Sequence, residues 1–168
     1  MEKKAPAKNT GSFVESFAEA AGLNRLKKSE NPRLYYLSGA VTHDPHYRLK
    51  FELAERYLIA KGNLVINPIR NESAGLTWEQ YLSADLLILG RLKTIYANIV
   101  MIDSKLSGGH LALPAIAMID PEDRQFPSKG ASLENAFAGT FLPVVNLGKD
   151  WNELLTKAIE EAEKEAAR

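Results

Sequence analysis

Ser128-Lys129-Gly130-Ala131-Ser132-Leu133-Glu134-Asn135-Ala136-Phe137-Ala138 reads as a turn of small residues running into a helix. The apolar run Leu113 to Ile119 precedes it, joined through the polar loop Asp120 to Pro127, and the apolar run Phe141 to Val145 follows it. A strand that ends in a small-residue turn and starts a helix is where an open α/β sheet places its ligands. The same turn delivers one carboxylate, Glu134, into the early turns of its helix, which makes Glu134 the candidate working residue.

Upstream of this stretch the chain alternates in the same way. Leu34 to Val41 is a compact apolar and aromatic run ending in small residues, as expected of a buried first strand and its ligand-side loop. Asp44-Pro45 has the form of an N-cap followed by proline at the first helical position. The helix predicted there runs to about Lys61, with Leu49, Leu53, Ala54 and Leu58 on one face and Gly62 as its stop. Leu64 to Pro68 is the second strand, and Asn71 to Leu76 a loop. Thr77-Trp78-Glu79-Gln80 has capping-box form, opening a helix that places Tyr81 and Asp85 one turn apart beside Leu82, Leu86 and Leu89. Between Thr94 and Gly109, the run Ile95 to Ile102 fits a strand or a continued helix equally. A last strand, Leu142 to Asn146, and a charged helix from Asp150 to Ala166 complete the alternation. The expectation is an α/β fold: a single-domain parallel sheet flanked by helices, flavodoxin-like or Rossmann-like.

At 168 residues one domain is the default. Residues 1–12 are polar and rich in lysine, proline, glycine and serine, a flexible tail by composition. Residues 13–30 hold a short amphipathic helix, able to pack on the domain or on a partner subunit, and residues 31–168 form the α/β domain. Lysine plus arginine number 21 and aspartate plus glutamate 21, so no excess of positive charge points to a nucleic-acid or membrane surface. The expected partner is a small molecule. The absence of cysteine excludes disulfides, thiolate metal sites and cysteine nucleophiles. With no apolar run of signal-peptide or membrane-span length, a cytoplasmic protein is expected.

Glu134 reads two ways: an exposed helical glutamate favoured by the dipole, or a carboxylate beside a ligand approached closely by the Gly130 backbone. Near a sugar such a carboxylate can attack the anomeric carbon and form a glycosyl-enzyme. Ser107-Gly108-Gly109-His110 is a competing glycine turn, but Leu113 stands where Glu134 stands relative to Ser128, and a leucine cannot do this chemistry. Asp85 has the type needed to protonate or hydrogen-bond a departing nucleobase, with Asp103 and Asp120 as rival carboxylates at strand ends. Ser38-Gly39 is either a tight turn or a backbone approach to the ligand. His43, His46 and His110 lack metal-ligand spacing; no metal and no cofactor are expected.

Tyr36 to Thr42, Asp44-Pro45-His46-Tyr47 with Phe51, Lys61-Gly62 with Asn67-Pro68, Leu76 to Tyr81 with Asp85-Leu86, and Ser128 to Glu134 together resemble the DUF4406 family. That family is similar to the nucleoside 2-deoxyribosyltransferases. The resemblance spans roughly residues 34 to 147 and implies a glutamate nucleophile at Glu134, an aspartate handling the base at Asp85, and a homo-oligomer in which a neighbour completes the site. Tyr36, Ser38, Gly39, Tyr81, Ser128 and Gly130 are the expected substrate-binding residues. Residues 94–111 form an insertion relative to the family pattern.

The function expected is cleavage or transfer of the N-glycosidic bond of a nucleoside or nucleotide through a glutamate nucleophile. An alternative is a non-catalytic nucleotide-binding sensor or regulatory module of the same fold. A third reading is an assembly protein whose contacts run through the helix Phe13 to Leu26.

Overall fold

A computed structural model describes residues 10–102, 112–121 and 128–168. Strands β1 (Arg33–Ser38), β2 (Leu64–Ile66), β3 (Ala112–Met118) and β4 (Val144–Asn146) form one parallel sheet in the order β2-β1-β3-β4. The expected parallel α/β sheet is therefore present. Helices α1 (Thr10–Ala20), α2 (Tyr47–Ala60) and α5 (Lys149–Ala166) pack on one face, around Phe17, Leu37, Leu53 and Trp151. Helices α3 (Trp78–Ile102) and α4 (Lys129–Ala138) cover the other, around Tyr36, Leu89, Leu92 and Ile116. Among the described residues no helix is long and apolar enough to cross a membrane.

Alternation along β1 sorts its side chains between the two cores: Leu34 and Tyr36 point to the α3/α4 side, Leu37 to the α1/α2/α5 side. The N-terminal helix packs on the domain. Val14, Phe17 and Ala18, at helical spacing, are buried against α2, and burying Val14 and Phe17 contributes about 1.5–3 kcal/mol each. This helix begins three residues earlier than the tail boundary expected from composition, because a preceding turn is needed to present Phe13 and Val14. It ends at Ala20, well before the expected residue 30. Gly22 adopts a left-handed φ of 74°, with Leu23 N–H donating to Ala18 O at 2.8 Å and Gly22 N–H to Glu19 O at 3.0 Å, a Schellman closure.

Other boundaries shift for local reasons. Asp44 does not cap α2: its Oδ1 accepts from His46 N–H at 2.8 Å in an Asx turn, and the helix starts at Tyr47. The expected loop at Asn71 to Leu76 is largely a 3₁₀ helix, Pro68–Ala74, capped by Asn67 Oδ1 and ended by left-handed Gly75. The capping box at Thr77 forms in both directions, Thr77 N–H to Gln80 Oε1 at 2.9 Å and Gln80 N–H to Thr77 Oγ1 at 3.4 Å. From there α3 runs 25 residues to Ile102, so the ambiguous run is helix and not strand. Ser107 to His110 and Asp103 lie outside the described residues.

Gly62 closes α2 at φ 83°, and a Cβ there would sit 2.5 Å from Lys27 O and 2.7 Å from Ser29 N. Gly62→Ala therefore meets both backbone strain and a backbone clash. Urea unfolding is expected to show a loss of about 2–3 kcal/mol with an unchanged m-value.

Candidate functional site

The strand order dictates where a site can form. The chain leaves β1 for the edge strand β2, then returns past β1 to β3, so the connections after β1 and β3 diverge to opposite faces. The crevice beyond the carboxyl ends of β1 and β3 is a topological switch point. Gly39 follows β1 there and Asp120 follows β3. A Cβ on Gly39 would lie 2.8 Å from Ile119 Cγ1 and 3.2 Å from Asp120 Oδ2, which is why a glycine stands at the crossing.

Glu134 reaches this crevice from α4. Ser128 caps the helix, its Oγ accepting from Ala131 N–H at 3.2 Å, and Gly130, Ala131 and Glu134 share the face toward the sheet. Glu134 is only 7% exposed. Tyr36 and Ser38, two positions apart on β1, point to the same face, and each donates to a different oxygen of its carboxylate. Tyr36 OH donates to Oε1 at 3.1 Å, and Ser38 Oγ to Oε2 at 3.1 Å. The Asp85 carboxyl, on α3, interacts with both Glu134 and Tyr36.

Burial pushes the Glu134 carboxyl up to about 7, and the neighbouring Asp85 charge adds to the rise; hydrogen bonds from Ser38 and Tyr36 oppose it. Burial likewise raises Asp85, to about 6, opposed by its hydrogen bonding with Glu134 and Tyr36. The two carboxyls titrate as a pair that holds one proton near neutrality. The larger rise falls on Glu134, whereas two hydroxyl donors aimed at it satisfy its ionised form. Tyr36 is raised by burial and by both carboxylates, so it remains a protonated donor.

A cavity of about 150 Å³ opens beside these groups, comparable to one that takes up benzene in an engineered core. Gly39, Val41 and Thr42 form one wall, Trp78, Tyr81, Leu82 and Asp85 another, and Ser128, Gly130, Ala131 and Glu134 a third. Of the residues singled out in the sequence, Glu134, Asp85, Gly39, Tyr81, Ser128 and Gly130 meet at this cavity. Tyr36 and Ser38 are fully buried and lie behind the cavity wall, Ser38 bonded to Glu134 and Tyr36 to Glu134 with Asp85 beside it. The Tyr81 hydroxyl donates to Glu72 O at 2.6 Å, so its phenol also anchors the 3₁₀ segment. Asp120 is engaged elsewhere: its Oδ2 accepts from Ala40 N–H at 2.7 Å, and its Oδ1 pairs with Lys50. His46 pairs with Glu163 on the outside at 3.1 Å. Among the described residues no cluster of His, Cys, Asp or Glu could hold a metal.

Lys50 escaped the reading of the sequence. Its position three and four residues before Leu53 and Ala54 puts a lysine on the apolar face of α2, and that mismatch was the available signal. Val41, Thr42, Glu72 and Trp78 also line the cavity without a residue-level signature.

Residues 33–105 match a family described as a domain of unknown function, DUF4406. The matched segment carries Tyr36, Ser38, Gly39, Tyr81 and Asp85 and ends before Ser128, so it is shorter than the resemblance expected over 34 to 147. Glu134 joins the site on geometry. No curated protein and no solved structure matches the chain.

A buried carboxyl raised from 4.5 to about 7 favours the fold when protonated. Its contribution is fully present below pH 4.5 and is lost as pH rises through 7. Glu134→Gln removes the ionisation and keeps the shape. At pH 8 the variant is expected to be more stable than the native chain by about 3 kcal/mol, with the difference closing below pH 4.5. Urea titrations across pH 4 to 8 check this, and equal pH dependence in both proteins contradicts it.

Proposed function

We propose that this chain cleaves or transfers the N-glycosidic bond of a nucleoside or nucleotide, with Glu134 as nucleophile and Asp85 as the group that assists departure of the base. The observation that carries this reading is the carboxyl pair at the switch point, half-buried Asp85 beside buried Glu134, the latter gripped on both oxygens by hydroxyl donors. In the reactive form the charge sits on Glu134, where Tyr36 and Ser38 satisfy it, and the proton sits on Asp85, the less enclosed partner.

A Glu134 oxygen attacks C1′ as the C1′–N bond breaks. The bonding electrons go to the ring nitrogen, which takes the proton from Asp85. The product is a glycosyl ester on Glu134 and a free base. Asp85, now a carboxylate, accepts a proton from the water or the second base that attacks C1′ and releases the sugar. A cavity of about 150 Å³ fits one ring, with the remainder of the ligand lying along the Trp78 wall. The same reading includes a homo-oligomer, for which exposed Leu87 on α3 and Leu133 and Phe137 on α4 supply apolar surface.

Incubation with a panel of deoxynucleosides, ribonucleosides and their 5′-monophosphates, followed by chromatography for free base, tests the reaction. Glu134→Ala is expected to lower base release by about three orders of magnitude or more. Asp85→Asn is expected to lower it by about a hundredfold or more, least for substrates with an already good leaving base. No release by the native chain, or undiminished release by Glu134→Ala, overturns the assignment.

A further inference from the structure

Lys50 is 2% exposed and has three hydrogen-bond acceptors: Ala40 O at 2.9 Å, Asp44 Oδ2 at 2.5 Å, and Asp120 Oδ1. An ammonium has three donors, so all are used. Ala40 is held from both sides, since its N–H donates to Asp120 Oδ2 at 2.7 Å while its carbonyl accepts from Lys50. No strand or helix satisfies these two backbone groups; the staple does. It joins the loop after β1, the start of α2 and the end of β3. Within that loop His43 stands at a φ of 66°, a left-handed conformation that persists only where surrounding contacts over-determine it.

Two carboxylates and one ammonium leave a buried net negative charge, and hydrophobic replacement of such groups is often neutral or stabilising. Stability of the fold therefore does not by itself call for this arrangement. Its geometric effect falls on the cavity, because Gly39, Val41 and Thr42, on either side of Ala40, are cavity wall.

We infer that Lys50 is a positioning residue: through Asp120, Asp44 and Ala40 it fixes the Gly39–Thr42 loop as the wall against which the ligand is seated. The identity of that ligand as a nucleoside or nucleotide rests on the function proposed above; the fixing of the loop does not. Neither Lys50 nor Asp120 is among the groups that perturb Glu134 or Asp85. Loss of the staple thus acts on seating and leaves the titration of the carboxyl pair in place.

Lys50→Met alone leaves two buried carboxylates uncompensated and can unfold the chain. Lys50→Met combined with Asp120→Asn keeps the native net charge of the cluster and removes the staple. In this double variant, amide hydrogen exchange at Gly39 to Thr42 is expected to accelerate about tenfold or more while Tyr36 and Leu37 exchange as in the native chain. With the deoxynucleoside turned over best by the native chain, KM is expected to rise about tenfold with kcat within about twofold, and the pH profile of kcat to stay in place. Unchanged exchange at Gly39 to Thr42, equal acceleration throughout β1, or a fall in kcat at constant KM overturns the inference. If the native chain turns over no nucleoside, the proposed reaction fails, and the exchange measurement alone decides the role of Lys50.

Discussion

The grip of Tyr36 and Ser38 on the Glu134 carboxylate is the contact on which the site depends. It joins residues 98 and 96 positions apart in the chain and ties the carboxyl end of β1 to the second turn of α4. Hydrogen bonds to a charged group contribute about 1.5–3 kcal/mol each, against a desolvation cost for the carboxylate of several kcal/mol. The raised Glu134 and Asp85 carboxyls are the record of that unfavourable balance. Such strain is the usual companion of a working carboxylate, since groups poised near neutral pH exchange protons most effectively.

Period-two alternation on β1 is what makes the grip possible. Tyr36 and Ser38 face α4 while Leu37 between them faces Trp151 and Leu53, so a single short strand serves a core and a site at once. A second set of polar contacts, around Lys50, lies beyond the same strand end and shapes the opposite wall. Two hydrogen-bonded polar clusters flanking one crevice, one centred on buried Glu134 and one on buried Lys50, define the cavity more rigidly than apolar packing alone would.

Much of this was legible in the residues. The alternation of apolar runs with small-residue turns identified the parallel sheet, the Thr77 capping box and the small-residue turn from Ser128 marked the starts of α3 and α4, and Glu134 and Asp85 stood out by type and place. What was hidden depends on pairing over long distances. Nothing local in Tyr36 or Ser38 says that both hydroxyls end on one glutamate, because the contact requires β1 and β3 to be neighbours with α4 folded over them. Asp120 looked like a rival acid until Lys50 and Ala40 were found to occupy both its oxygens. The long reach of α3 was ambiguous because Ile95 to Ile102 is a short, nearly continuous apolar run, and periodicity carries no signal in such a run. Gly22 carried a stop signal that helical spacing beyond it concealed.

A structure of the Asp85→Asn variant with a bound deoxynucleoside measures the central relation directly, because that variant keeps Glu134, the proposed nucleophile, and under the proposed mechanism slows its reaction. C1′ is expected about 3–3.5 Å from a Glu134 carboxylate oxygen, with the base toward the substituted side chain at position 85 and the Trp78 wall. A sugar bound well beyond contact with Glu134, or a base lying over Glu134 in its place, contradicts the role assigned to this carboxylate.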